Sequence, residues 1–114
     1  MILFKKEFIE PIMAGEKTQT RRLWLNCRAK PGSFHWAQTT LKPDSRFARL
    51  FIIRSEEWDG VSISDDDAKA EGFDTAEEFW KKFNELNTNR KDDPRRRYYV
   101  VEFKAIEPDD VTML

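Results

Sequence analysis

Cysteine and histidine are almost missing from this sequence. It holds one of each, Cys27 and His35, in 114 residues. A single cysteine excludes an intramolecular disulfide. A zinc cage needs several Cys or His ligands at set spacing, and that too is excluded. A carboxylate-bound magnesium has no motif behind it, nor has a redox or nucleotide-triphosphate group, so no cofactor is expected. Long hydrophobic runs are also missing. The longest apolar stretches, residues 1–4 and 50–53, fall far short of a bilayer span. The N-terminus lacks the basic, apolar and small-residue order of a secretion signal. The expected location is therefore the cytoplasm, with no membrane partner.

Aromatic residues are abundant: nine Phe and four Trp, in a chain that is 39% hydrophobic. Such a composition builds a packed core, and the length suits one compact domain over 1–114. The net charge of −1 hides an asymmetry. Residues 56–78 hold ten acids and one base, Lys69, so the remainder of the chain carries +8. A split of this size implies a bipolar surface with a basic part able to hold phosphates. Two solvated faces explain it equally well.

Hydrophobic spacing places the elements. Phe8, Ile9, Ile12 and Met13 form a short helical stripe, with Pro11 tolerated in the first turn and Gly15 suited to the left-handed C′ position. The polar string 16–22 reads as a loop leaving that helix. Strands are predicted at 1–4, 23–26, 34–38, 46–55 and 98–106. In the fourth, Phe47, Phe51 and Ile53 alternate with Ala48, Leu50 and Ile52, which predicts a strand covered on both faces. In the last, Tyr99, Val101, Phe103 and Ala105 form the buried face. Ser64 begins an acidic helix stopped by Gly72. Asp74 opens an N-cap pattern for a second helix with the stripe Phe79, Trp80, Phe83 and Leu86. The tail 107–114 reads as polar and peripheral. Five strands with inserted helices fit a small mixed α+β barrel.

One segment stands out chemically: Gly15-Glu16-Lys17-Thr18-Gln19-Thr20-Arg21-Arg22. It offers many donors and few acceptors, so Thr18, Gln19, Arg21 and Arg22 suit an anionic or carbonyl-rich ligand. A Lys whose pKa is lowered by burial or by cations can act as a base, and a neighbouring hydroxyl can then attack an acyl carbon. Arg21 and Arg22 push Lys17 that way, whereas a carboxylate would keep it charged. In an extended segment Lys17 and Thr20 point to opposite faces, so they cooperate only if the chain turns. The plain alternative is an ordinary exposed cation.

These residues also carry a family resemblance. The opening through Arg22-Leu23-Trp24, with Gly-x-Lys-Thr-x-Thr-Arg inside it, resembles the start of ASCH domains. Lys30-Pro31-Gly32 before a strand, Ala70-Glu71-Gly72-Phe73 between helices and the closing Tyr99-Val100-Val101-Glu102-Phe103 fit as well. The resemblance implies a PUA-like pseudobarrel with two to three inserted helices, and a role in RNA metabolism. It implies a nucleoside or RNA as partner. Compact members include an amidohydrolase that deacetylates N4-acetylcytidine, and others are described as ribonucleases. Carried over residue by residue, the amidohydrolase site falls on Lys17, Thr20 and Glu71, with Glu78 and Asp67 competing for the acid's place. The sequence departs from that type after Thr20-Arg21, where it continues Arg22-Leu23-Trp24, and in a longer loop holding Trp36. Those departures leave the substrate open.

Trp36 and Trp24 can stack a base, or form barrel core or rim. His35 suits a structural or pocket-lining place, and Cys27 has no companion that would activate it. Arg95, Arg96 and Arg97 can contact phosphate, or guard a strand's start from edge pairing. Three readings follow: a module binding RNA or a nucleoside; an amide hydrolase with Thr20 as nucleophile, Lys17 as base and Glu71 orienting; and a metal-independent ribonuclease.

Overall fold

The computed structural model describes residues 1–106, so the tail 107–114 lies outside it. The strands are β1 (Ile2–Leu3), β2 (Gln19–Trp24), β3 (Phe34–Gln38), β4 (Arg46–Glu57) and β5 (Arg97–Ile106). The helices are α1 (Ile9–Met13), α2 (Asp65–Ala70) and α3 (Ala76–Leu86), with 3-10 turns at Lys6–Phe8 and Pro43–Ser45. All five strands join one sheet in the order β1-β3-β4-β5-β2. The β1–β3 pair is parallel and the others are antiparallel. This is the expected mixed α+β half-barrel. Its edge strands meet through a side chain: Arg22 Nη2 on β2 donates to Leu3 O on β1 at 2.7 Å.

Local signals explain most boundaries. Gly15 and Gly72 both have positive φ, +76° and +98°, which suits the ends of α1 and α2. Ser64 Oγ caps α2 by accepting from Asp67 N–H. The N-cap of α3 is Thr75, one residue later than predicted, accepting from Glu78 N–H. Glu78 in turn accepts from Asp74 N–H.

Two expectations need correction. Residues 19–22 are not loop: β2 starts at Gln19 and pairs with β5 along its whole length. Polar residues sustain a buried strand here because their side chains find partners on α2 and at its C-cap, Glu71. Nor is β4 covered on both faces. Ala48, Leu50 and Ile52 are fully buried, but Ile53 is 50% exposed at a bulge, and Phe51 is half-buried. The outer face of β4 carries Arg49 over the rings of Phe34 and Trp36 instead of a helix. Two-sided burial belongs to the β2–β5 pair. There Trp24 and Tyr99 join the barrel core with Phe103, Ile12 and Leu50. Leu23 and Tyr98 face a second cluster, with Phe79 and Phe83 of α3 and Ala68 of α2. Each fully buried Phe contributes about 1.5–3 kcal/mol, so the aromatic stripe of α3 holds both helices onto the sheet. That docking places the end of α2 beside the start of β2.

Candidate functional site

The site is assembled from three segments that meet at this junction. After Gly15 the chain folds back on α1, with the N–H groups of Glu16 and Lys17 both donating to Pro11 O. Thr18 then splices two elements together. Its N–H donates to Ala70 O at 2.8 Å, and its carbonyl accepts from Phe103 N–H at 2.9 Å. This fold-back lies before Lys17 and is not a turn between Lys17 and Thr20, but both residues line one cavity.

Lys17 is 4% exposed and Glu71 is 2% exposed. Lys17 Nζ donates to Gln19 O at 2.9 Å and to Glu71 O at 2.6 Å. It lies 3.7 Å from Glu71 Oε1 and over the Phe8 ring. Burial pushes the Lys17 ammonium down to about 8; Glu71 opposes that shift, and the Arg22 and Arg21 cations add to it. A fraction of Lys17 is therefore neutral near physiological pH.

Glu71 is gripped by Arg21 from two directions. Its Oε1 accepts from the backbone N–H of Arg21 at 3.1 Å, and its Oε2 from Arg21 Nη1 at 2.8 Å. Arg21 also approaches Asp67 at 3.5 Å and lies over the Trp58 ring. Its Nε is buried with no partner among the described residues. Of the three acids considered, only Glu71 reaches Lys17: Asp67 serves Arg21 and Gln19, and Glu78 caps α3.

Thr20 is buried, and its Oγ1 accepts from Arg22 Nε at 3.1 Å. No hydrogen bond joins it to Lys17 Nζ among the described residues. Arg22 lies over the Phe4 ring. Burial and the cations of Arg90 and Arg28 lower its pKa against the pull of Glu71, yet a guanidinium so placed stays charged at neutral pH.

The cavity measures about 310 Å³. Phe8, Phe73, Phe79 and Phe83 supply apolar walls, and Lys17, Thr20, Arg21, Arg22 and Glu71 the polar ones. Thr18 and Gln19 are not among the lining residues; Gln19 turns its amide to Asp67. Trp36 is elsewhere, on the outer face of β3 under Arg46 and Arg49. His35 bonds Ser33 Oγ at 2.9 Å, and partial burial with nearby cations lowers its pKa. Cys27 Sγ contacts Ser55 Oγ at 3.0 Å. Among the described residues no helix is long and apolar enough to cross a membrane, and no group of three or more His, Cys, Asp or Glu is placed to hold a metal.

Sequence reasoning missed Arg90 and Asn87 as lining residues, and read Phe79 and Phe83 only as core. Arg90 follows α3 in a polar turn whose composition carries no signal. The Phe pair serves core and cavity at once, and spacing alone does not separate the two uses.

No protein-family model matches the sequence, and no curated protein is significantly similar to it. Solved structures are similar in fold. A DUF984 protein from Enterococcus faecalis V583 superposes with a TM-score of 0.64 at 17% identity, over 94% of this chain and 82% of its own. An ASCH domain from Lactobacillus crispatus JV V101 gives 0.64 at 15% identity, over 87% and 70%. A point mutant of an ASCH protein from Zymomonas mobilis gives 0.56 at 12% identity, over 98% and 77%.

Proposed function

We propose that this chain, which folds as ASCH domains do, binds a nucleobase or nucleoside in the cavity around Lys17, Thr20 and Glu71 and acts in RNA metabolism. The observation that carries the reading is the cavity's make-up: aromatic walls and a few converging polar groups around about 310 Å³. That volume lies at the lower end of small-ligand pockets, so it suits one base or nucleoside and not a duplex. Phenylalanine faces accept any base by stacking, and donors at the rim select among base edges. The test is calorimetric titration with the common nucleosides and N4-acetylcytidine, using Lys17→Met and Thr20→Val as controls. Saturable binding that both substitutions weaken supports the reading. No binding of any nucleoside at millimolar concentration would sink it.

A second reading is favoured by the depressed pKa of Lys17 in the cavity that the buried Thr20 also lines. It is amide hydrolysis of an N-acylated nucleoside such as N4-acetylcytidine. Neutral Lys17 takes the hydroxyl proton of Thr20 as Oγ1 bonds to the acyl carbon. The carbon–nitrogen bond then breaks, the leaving amine collects the proton from Lys17, and water hydrolyses the acyl ester. Arg22 Nε, already donating to Thr20 Oγ1, lowers the cost of the developing alkoxide. Glu71 holds Lys17 in place. Neutral Lys17 can keep both carbonyl bonds with its two N–H groups and take the proton on its lone pair. Because no hydrogen bond joins Nζ to Thr20 Oγ1 among the described residues, the transfer needs Lys17 to shift or to work through a water. Hydrolysis of N4-acetylcytidine by the wild type, lost in Lys17→Ala and Thr20→Ala with the fold intact, is the supporting result. The ribonuclease reading has less behind it, because Arg21 is engaged by Glu71 and Asp67 and is not turned to a phosphate.

A further inference from the structure

An open groove of about 510 Å³ adjoins the cavity. Leu3, Arg22 and Arg90 line both, so the two spaces are adjacent and share a wall. Arg28 and Arg96 complete a set of four guanidiniums around the groove, and Met1 brings its residue to the same rim. Among the described residues no carboxylate lines it, although acids outnumber bases in the chain as a whole. Among the described residues Arg22, Arg28 and Arg90 form no ion pair. Arg96 donates to Leu23 O at 3.2 Å and is 3.7 Å from Asp93. Its neighbours Arg95 and Arg97 are instead paired to Asp93 and Glu57. Cations gathered in one place without acids repel one another, and an anion relieves that repulsion.

We propose that this groove is a phosphate site, and that the ligand of the adjoining cavity is a phosphorylated nucleoside whose base enters the cavity while its phosphate lies among Arg22, Arg28, Arg90 and Arg96. This rests on the nucleoside reading above and narrows it. The planar fork of arginine pairs two donors with two phosphate oxygens, which a lone ammonium does not do. Arg22 already spends its Nε on Thr20 and one Nη2 bond on Leu3, so it hinges the two spaces. Arg28 and Arg90 are exposed, and they are the arms free to close on the anion. The phosphate can belong to a free nucleotide or to a single strand.

The test compares affinities for the common nucleosides, their 5′- and 3′-monophosphates, a single-stranded tetranucleotide and inorganic pyrophosphate. Wild type is set against an Arg28→Ala/Arg96→Ala double variant, because these two arginines line the groove and not the cavity, with thermal melts to confirm folding. The expected result is that a phosphorylated ligand binds about tenfold or more tighter than its nucleoside. The double variant loses that increment and keeps nucleoside affinity. A gain with monophosphates assigns the site to free nucleotides, and a gain with the tetranucleotide alone assigns it to a strand. Equal affinity with and without phosphate overturns the proposal, as does an increment that survives in the double variant. Pyrophosphate binding that needs Arg28 and Arg96, without binding of any nucleoside, would keep the groove and discard the nucleoside cavity.

Discussion

Glu71 and Arg21 form a two-point clasp, with one carboxylate oxygen on the backbone N–H of Arg21 and the other on its guanidinium. The backbone half fixes the carboxylate to β2 even if the side chain of Arg21 moves. The same carboxylate faces Lys17 at 3.7 Å. Glu71 thus faces two buried cations, with Asp67 assisting at Arg21 alone.

Glu71→Ala leaves buried Lys17 without a carboxylate and buried Arg21 with only the part-exposed Asp67 at 3.5 Å. The expected loss is roughly 3–5 kcal/mol, far more than an exposed pair would give. Urea denaturation at neutral pH measures it. A loss below about 1 kcal/mol would show that solvent reaches Lys17 and Arg21 freely.

Lys17 predicts a pH dependence of definite sign. Its folded pKa, about 8, lies below the ordinary value of 10.5. Between those values the unfolded chain binds more protons than the folded one, so stability from this residue rises as pH rises. Below pH 8 both states are protonated and the contribution is flat, at its least favourable. Relative to Lys17→Met, wild type should gain up to about 3 kcal/mol between pH 8 and pH 10.5. Denaturation of the two proteins over that range is the check, and a pH-independent difference would contradict it.

Thr20 separates binding from chemistry. Thr20→Val keeps the volume but removes the acceptor of Arg22 Nε. If Thr20 only binds, nucleoside affinity falls about tenfold, the worth of a hydrogen bond to a charged group. If Thr20 is the nucleophile, kcat for N4-acetylcytidine hydrolysis vanishes in the valine variant, while Thr20→Ser retains measurable turnover.

Two glycines should respond differently to alanine. At Gly60, φ is +76° and a Cβ would lie 2.7 Å from the ring of Tyr98, which is wedged against Trp58 and Phe83. Gly60→Ala should cost roughly 2–4 kcal/mol, from backbone strain plus a forced repacking of the second cluster. At Gly72 the nearest atom is Lys17 Cδ at 3.5 Å, so backbone strain alone acts. Gly72→Ala should cost about 1–2 kcal/mol. Thermal melts rank the pair.

The sequence made strands β3, β4 and β5 and the three helices legible, because apolar spacing and caps mark them locally. The fold-back at Lys17 and the strand at Gln19 were not legible. A buried strand written Gln19-Thr20-Arg21-Arg22 breaks the apolar pattern, and its partners Asp67 and Glu71 lie about fifty residues away. The choice among Asp67, Glu71 and Glu78 is likewise a matter of where α2 ends against β2, which no local spacing encodes. The groove of arginines was visible only as a charge surplus. Its arginines come from β2, the loop after it and the loop between α3 and β5, and only folding gathers them.

The sheet is a hoop whose two ends are fastened by the guanidinium of Arg22 reaching Leu3 O. No backbone ladder joins those ends among the described residues. Such a clasp can unfasten without tearing any strand from its neighbour. A guest that claims the same guanidinium therefore competes with ring closure, and what it gains in grip the hoop gives up in tension.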